Sequence, residues 1–311
     1  MNPLVSIITL NWNRREDVLR TLLSISQQTY EPREIIVVDN GSADGSVTEI
    51  AKAYPQVKII ALTENKGVEG YNVGMDSAKG EYLLLIDNDM DLLQNDTLEK
   101  IVSYFHANSK LGSVALQVRE RDQKALSPNN PKHWQERGNE TEGFPCSTFD
   151  GGGVAFRKSV IQQVGPYLAE FFVYHSEVDL STRIWDAGYE IRYFPAIAVS
   201  HRESSVSRNE FRQIFYSTRN YFWYVWIYYP FFMGFAETIH FAQRSFVRNL
   251  RHTKPILAWV KGCFSAIIHW PPIARLRKPV KPETIRWMQE MRVQDRKRKL
   301  NQSQPQEDTK T

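Results

Sequence analysis

Two carboxylates lie two residues apart in the sequence Asp87-Asn88-Asp89, directly after an apolar run at residues 82–86. Five apolar or aromatic residues without interruption predict a strand that is buried on both faces. Ligands bind at the carboxyl ends of strands in an open α/β sheet, so both carboxylates are expected at a binding edge. Oxygen ligands at this spacing suit Mg²⁺ or Mn²⁺. An isolated Asp-x-Asp is more often a polar turn, so the prediction depends on the surrounding residues.

The composition is that of a globular protein. Of the 311 residues, 42% are hydrophobic and 24% are charged, which is enough apolar material for a large core. The N-terminus lacks the basic start and the cleavage site of a secretory signal, and the two cysteines, Cys146 and Cys263, lie far apart. These features predict a reducing, cytoplasmic location.

Apolar and amphipathic runs alternate through the first third of the chain. The pattern predicts strands at 5–10, 34–39, 57–62 and 82–86 and helices at 17–26, 47–53 and 68–78. This alternation favours an α/β fold with a mostly parallel sheet flanked by helices. In such a sheet the polar strand ends at Asn11, Asp39 and Asp87 are expected along one edge.

Two common nucleotide-binding motifs are missing from the sequence. No G-x-G-x-x-G follows the first strand and no G-x-x-x-x-G-K-[ST] occurs, which disfavours dinucleotide-binding Rossmann domains and P-loop NTPases. A sugar-1-phosphate nucleotidyltransferase stays open as an alternative, although residues 11–15 lack the glycine- and basic-rich phosphate loop that it would need.

The runs VSIITLNWNRREDVLRTLLSISQQTYEPREIIVVDNGSADGS and ENKGVEGYNVGMDSAKGEYLLLIDND resemble the inverting glycosyltransferases of family 2, which have the GT-A fold. The likeness covers roughly the first two thirds of the chain and extends to bacterial surface-polysaccharide and rhamnosyltransferase-like members. It implies a UDP-, dTDP- or GDP-sugar donor and a glycan or lipid-linked acceptor. A catalytically idle, membrane-bound assembly subunit of the same family is a further alternative.

The resemblance also implies which residues form the site. It places the metal on Asp87, Asp89 and His201, and the nucleotide next to Asp39. The implied donor contacts lie at strand ends and around a glycine-containing turn: Thr9, Asn11, Asp39, Asn65, Gly67, Asn72, Asp87 and Asn88. From the residues alone, Asp39 is better explained by a tight turn and His201 by a structural hydrogen bond.

A second pair of acids, Glu177 and Asp179, lies at the start of a predicted helix, where the helix dipole also favours carboxylates. Family 2 relatives have Glu-Asp-x-Asp here, and the second acid is their general base. The alignment puts Ser176 and Glu177 in the first two positions, so Glu177 is the implied base and Asp179 is the alternative. Inverting transfer is a single displacement in which a carboxylate takes the acceptor proton.

Two further segments have open interpretations. The sequence Asp150-Gly151-Gly152-Gly153 lets the backbone pass close to a ligand, and by resemblance it lies beside the donor and acceptor sugars. Residues 119–142 are polar and predict a long surface loop, which is either a lid or an insertion without a role.

The C-terminal third is aromatic and basic. Residues 220–236 carry no charge, but Pro230 interrupts them and they fall short of the about 20 residues of a spanning helix. The stretch 244–299 then carries 15 Lys and Arg against three acids, although the whole chain has a net charge of only +4. This pattern favours helices on an anionic membrane surface. The alternative is packing on the catalytic domain or on another subunit in an oligomer.

These patterns predict a catalytic domain at 1–207, with a donor-binding half at about 1–118 and an acceptor half at about 143–207. A membrane-associating helical region at 208–300 and a disordered tail at 301–311 follow. No nucleic-acid-binding module accompanies the basic residues, so no nucleic-acid partner is predicted. The expected location is the cytoplasmic face of the cell membrane.

Overall fold

The computed structural model describes residues 2–120, 141–202, 209–250 and 253–301. These residues form one mixed sheet and a set of helices. The strands are β1 (Val5–Asn11), β2 (Arg33–Asp39), β3 (Lys58–Ala61), β4 (Tyr82–Asp87), β5 (Met90–Leu92), β6 (Leu111–Arg119), β7 (Phe144–Pro145), β8 (Gly153–Arg157) and β9 (Glu190–His201). The helices are α1 (Arg15–Ser26), α2 (Ser46–Ala53), α3 (Glu69–Ser77), α4 (Thr97–Ala107), α5 (Lys158–Val164), α6 (Ser176–Asp186), α7 (Glu210–Tyr228), α8 (Phe231–Asn249), α9 (Thr253–Ile268), α10 (Trp270–Ala274) and α11 (Pro282–Asn301).

The sheet has the strand order β3-β2-β1-β4-β8-β6-β9-β5, and β7 pairs with β9. The first four strands are parallel, as predicted. Beyond β4 the sheet is mixed, because β8 runs antiparallel to both β4 and β6, whereas β6 and β9 pair in parallel. Strand β8 begins beside the end of β4, with Gly153 opposite Ile86, and therefore has to run in the opposite direction.

The central strand β4 is buried on both faces, as its apolar run predicts. Leu84 and Ile86 pack into the core under α1 and α4, whereas Leu83 and Leu85 pack into the core under α3, α5 and α6. This division follows from the period of two along a strand. Each of these side chains contributes about 1.5–3 kcal/mol by its burial. The strand is thereby held rigidly behind the polar residues that follow it.

Helix α7 joins the C-terminal helices to the rest of the protein. Its aromatic residues form a third core together with Phe171, which precedes α6, and with Ile273 and Ile285 from later segments. The hydroxyls of Thr182 in α6 and Tyr224 in α7 lie 2.9 Å apart. The C-terminal helices thus pack on the part of the chain before residue 207 through Phe171 and Thr182.

The aromatic run at 220–236 divides between the interior and the surface. Trp223 and Tyr224 are buried, whereas Phe231, Phe232 and Phe235 are 61%, 85% and 56% exposed. None of the helices in the described ranges has both the length and the apolar character required to cross a membrane. Most of the predicted loop at 119–142 and the tail from 302 onward lie outside the described residues.

Candidate active site

Three strand ends meet at the carboxyl edge of the parallel half of the sheet. Asn11 lies opposite Asp39, and Leu10 lies opposite Asp87. Asn11 donates a hydrogen bond to Asp39 over 2.9 Å and accepts one from Asn88 over 2.9 Å. These hydrogen bonds link the amides of Asn88 and Asn11 to the Asp39 carboxylate, and we call them the amide chain. The chain connects the ends of β1, β2 and β4 and fixes the loop that carries the Asp-x-Asp sequence.

A cleft of about 410 Å³ opens above this edge. It lies between the strand ends, residues 65–71 at the start of α3, and residues 172–177 at the start of α6. Seven of the predicted site residues line it: Asn65, Gly67, Asp87, Asn88, Asp89, Glu177 and His201. The fold thus brings the predicted metal ligands and one candidate base into one cavity.

Asp87 and Asp89 have different surroundings. Asp87 accepts a hydrogen bond of 2.6 Å from the Tyr71 hydroxyl. Burial and the neighbouring charge of Asp89 raise the pKa of Asp87. Burial also opposes charge on Asp89, but His201 and Arg14 outweigh it and lower the pKa of Asp89. The two carboxylates therefore form a pair of like charges in which the nearest cationic groups, Arg14 and His201, lie at Asp89.

The contacts of Asp89 bear on a metal site. The Arg14 guanidinium forms an ion pair with Asp89 Oδ2, and His201 Nε2 lies 3.5 Å from the same oxygen. No group of three His, Cys, Asp or Glu side chains among the described residues is arranged to hold a metal ion. Two carboxylates in a cleft nevertheless fit Mg²⁺ or Mn²⁺, which take few protein ligands and complete their shell with phosphates and water.

Glu177 faces the cleft from the first turn of α6. Gly151 makes room for it, because a β-carbon at that position would lie 2.7 Å from Glu177 Oε1. Burial, and next the charges of Asp150 and Asp87, raise the pKa of Glu177 to about 7. A carboxyl group with this pKa can accept a proton near neutral pH.

Asp179 lies on another side of α6, outside the cleft. It is completely buried, forms a 2.5 Å ion pair with Arg183 and accepts a 2.5 Å hydrogen bond from Tyr228. Arg183 in turn donates to the carbonyls of residues 164–166. The structure therefore does not support Asp179 as the base, because its oxygens are committed to the core.

Four predicted donor contacts lie behind the cleft wall. Thr9 is fully buried and donates to the Ile86 carbonyl over 2.9 Å, so it belongs to the sheet. Asn11 and Asp39 are buried in the amide chain described above. Asn72 bonds both the backbone oxygen and the nitrogen of Tyr167, at 2.8 and 3.0 Å. These residues hold the cleft walls and do not line the cavity.

Several residues that line the cleft were not predicted from the sequence: Trp12, Arg14, Asn40, Tyr71, Phe172, Tyr174 and Arg212. The N-W-N-R-R sequence after β1 placed Trp12 and Arg14 near the edge, but no pattern indicated that they face a ligand. Arg212 belongs to α7, beyond the stretch with family resemblance, and only the tertiary structure brings it to the cleft.

Comparison with known proteins identifies the family and the fold of the chain. The family model described as glycosyl transferase family 2 matches residues 6–165, just over half of the chain, and the protein belongs to this family. This membership argues against the nucleotidyltransferase alternative. The solved structures that the fold resembles are GT-A glycosyltransferases, which confirms the predicted α/β class.

Two curated relatives illustrate the sequence similarity. An uncharacterized glycosyltransferase of Haemophilus influenzae is 35% identical over 116 residues, which cover 36% of each chain. The putative teichuronic acid biosynthesis glycosyltransferase TuaG of Bacillus subtilis is 32% identical over 111 residues, or 34% of this chain and 44% of TuaG. The matched part thus spans less than half of the length of these relatives.

Two solved structures share the fold. GalNAc-T7 with UDP, GalNAc and Mn²⁺ has a TM-score of 0.62 at 16% identity, covering 73% of this chain and 48% of that one. The mannosyltransferase PcManGT of Pyrobaculum calidifontis, in complex with GDP-Man and Mn²⁺, has a TM-score of 0.56 at 20% identity. That similarity covers 98% of this chain and 89% of PcManGT.

The burial of Asp179 predicts a large loss of stability on substitution. Asp179→Asn removes the negative partner of Arg183 and should lower the free energy of unfolding by about 3 kcal/mol, measured by urea denaturation. Asp76→Asn is the matched control, because Asp76 is exposed and should change stability by less than about 0.5 kcal/mol. Equal stability of the two variants would contradict the buried ion pair.

Proposed function

We propose that the protein transfers a sugar from a nucleotide-sugar donor to a glycan or lipid-linked acceptor, with inversion at the anomeric carbon. The observation that carries the proposal is the presence of Glu177 in the same cleft as the Asp87 and Asp89 pair. The donor class is supported by the solved relatives, which contain UDP or GDP-Man. Surface polysaccharide as the acceptor class is supported by the name of TuaG.

Inverting transfer needs a base on one side of the reacting carbon and positive charge near the leaving group. Asp87 and Asp89 would hold Mg²⁺ or Mn²⁺, which would stabilise the departing nucleoside diphosphate. Arg14 and Arg212 line the same cleft and add positive charge near the diphosphate. Glu177 takes the proton of the acceptor hydroxyl, and no covalent intermediate with the protein is formed.

The turn at 65–67 shapes the donor side of the cleft. Asn40 donates hydrogen bonds to Asn65 and to the Gly67 carbonyl, over 3.2 and 3.0 Å. Gly67 has a φ of 59°, and a β-carbon there would lie 2.2 Å from the Phe172 carbonyl oxygen. Only glycine fits this position, because the backbone of the turn closely approaches Phe172 in the segment that leads into Glu177.

The metal proposal predicts that Asp89→Ala loses transfer and also loses Mn²⁺-dependent donor binding. The physical reason is the loss of a hard oxygen ligand from a site that has few of them. Calorimetric titration of UDP- and GDP-sugars, with Mn²⁺ and with EDTA, measures the binding separately from turnover. Asp76→Asn should behave as wild type in both assays. Full activity of the wild-type protein in EDTA would refute the metal requirement.

The base proposal predicts that Glu177→Gln keeps donor binding but loses at least about 10²-fold in kcat, the usual scale of general-base assistance. Since the base must be ionised, kcat of the wild type should rise with pH up to about 7, the raised pKa of Glu177. Glu177→Gln should lose this acid limb, whereas Glu177→Asp should remain active. A kcat of Glu177→Gln equal to wild type would eliminate Glu177 as the base.

We further propose that the C-terminal helices lie on an anionic membrane surface. Exposed side chains of α8 and α9 form an apolar face: Phe231, Phe232, Phe235, Phe264, Ile267 and Ile268. A groove of about 410 Å³ adjoins it, and Trp226, Trp270 and Ile267 are among its lining residues. Thr238 and Cys263 are its polar members, so the groove suits hydrocarbon better than a sugar.

The charge of the sequence that carries this apolar face favours anionic lipid. Residues 231–281 contain nine Lys and Arg and a single acid, Glu237. Glu237 accepts a 2.5 Å hydrogen bond from Tyr221 and is mostly buried. Basic residues in the same helices as exposed apolar side chains are typical of segments that bind the headgroups and outer acyl chains of an anionic leaflet. A peripheral position at the cytoplasmic face would place the cleft near a lipid-linked acceptor.

The membrane proposal predicts that the protein sediments with phosphatidylglycerol vesicles and is partly released by high salt, because salt screens only the electrostatic share. The double variant Phe232→Ser/Phe235→Ser should bind less. The control is Leu23→Ser, since Leu23 is 54% exposed on α1, away from this face. Equal binding to neutral phosphatidylcholine would refute the role of charge. A dimer that the double variant dissociates would instead identify a subunit interface.

A further inference from the structure

The segment that leads into Glu177 has a strained backbone. Phe172, Tyr174 and His175 have φ values of 61°, 63° and 68°, in the left-handed region that bulky residues rarely adopt. Phe172 and Tyr174 line the cleft, and helix α6 begins directly after His175. A strained conformation persists only where the surrounding structure enforces it. The contacts that enforce it therefore help to determine where Glu177 lies.

The main contact comes from Asn220 in α7. Its side chain is completely buried, and Nδ2 donates to the carbonyl oxygens of Phe171, Val173 and Tyr174 over 2.9, 2.8 and 2.9 Å. An amide has two hydrogens, so one of them is shared between two acceptors. A buried asparagine among aromatic residues is costly unless it is hydrogen-bonded, and these three carbonyls satisfy that need.

Arg219, the preceding residue, supports the same segment from outside. Its Nη2 donates to the carbonyl oxygens of Glu170 and Phe171 over 3.0 and 3.2 Å. The guanidinium lies 4.2 Å from the ring centroid of Trp223 and 4.7 Å from that of Tyr216, which fixes its orientation. Both polar side chains, Arg219 and Asn220, therefore donate hydrogen bonds to one stretch of backbone, residues 170–174.

The opposite side of the segment is bonded to the turn at 65–67, which shapes the donor side of the cleft and is called the donor turn below. The Val68 amide donates to the Phe172 carbonyl over 2.8 Å, next to Gly67. Residues 172–175 are therefore held between the donor turn on one side and α7 on the other. Helix α7 also supplies Arg212 to the cleft and Trp226 to the apolar groove. It is the element that connects the base, the cleft and the C-terminal surface.

We propose that Asn220 is a positioning residue for sugar transfer, which holds the strained segment 172–175, with the help of Arg219, so that Glu177 faces the acceptor side of the cleft. The inference rests on the proposed role of Glu177 as the base. Small displacements of a reacting group cost large factors in rate, whereas donor binding depends on other residues. Loss of Asn220 should therefore reduce kcat and leave donor affinity nearly unchanged.

The test compares the same substitution at two buried asparagines. Asn220→Ser removes the amide donors from the segment. Asn249→Ser is the control. Asn249 is also buried in the C-terminal helices, but it donates to the Ser245 carbonyl within α8 and not to the segment 172–175. Thermal unfolding checks that both variants fold, calorimetry with Mn²⁺ and sugar nucleotides gives donor affinity, and initial rates over pH 5–9 give the pH profile.

The expected result for Asn220→Ser is a loss of about tenfold or more in kcat, a change in donor affinity of less than about threefold, and a shifted acid limb of the pH profile. Asn249→Ser should retain the wild-type limb and kcat. If Asn220→Ser does not fold, Arg219→Lys takes its place in the test. This variant keeps the charge but loses the planar donor fork, and it should also shift the acid limb of the pH profile.

Three outcomes would overturn the proposal. A folded Asn220→Ser with wild-type kcat and pH profile would show that the segment needs no support from Asn220. A loss of donor affinity equal to the loss in kcat, with an unchanged acid limb, would indicate a merely structural role. Full activity of Glu177→Gln would remove the base on which the inference rests, and this variant separates that failure from a failure of Asn220.

Discussion

Three carboxylates line the cleft, Asp87, Asp89 and Glu177, and the fold holds them close together with little exposure to solvent. Asp87 and Asp89 influence each other's ionisation, the charges of Asp150 and Asp87 raise the pKa of Glu177, and burial raises the cost of charging Asp87, Asp89 and Glu177. Countercharge is concentrated on Asp89, through Arg14 and His201. This imbalance separates the roles of the acids, because Asp89 is kept ionised while Glu177 titrates near neutral pH. The surrounding structure must resist their mutual repulsion.

The sheet supplies that resistance on one side. Strand β4 is fixed by apolar packing on both faces, and the amide chain from Asp39 through Asn11 to Asn88 holds the loop behind it. On the other side, Glu177 is held by α6, whose entry is a strained segment fastened to α7. Helix α7 therefore lines the cleft through Arg212 and the apolar groove through Trp226, and it also holds the segment that leads into Glu177, the proposed base.

Local patterns predicted the donor half of the protein well. The apolar run at 82–86 and the alternation of strands and helices before it correspond to β4 and to β1–β3 with α1–α3. Strands β5 and β7 were missed, because segments of three and two residues carry no periodicity that could reveal them. The direction of β8 could not be predicted either, since strand direction depends on where the chain re-enters the sheet.

The sequence by itself determined which chemistry is available: an Asp-x-Asp after a buried strand, a pair of acids at a helix start, and a basic, aromatic C-terminus. Only the tertiary structure places Glu177 in the cleft and Asp179 in the core, because two positions along a helix turn a side chain by about 200°. It also places Thr9, Asn11, Asp39 and Asn72 behind the cleft walls, Arg212 in the cleft, and Asn220 against the segment that leads into Glu177. Side-chain direction and long-range contacts decide these roles, and neither can be read from local spacing.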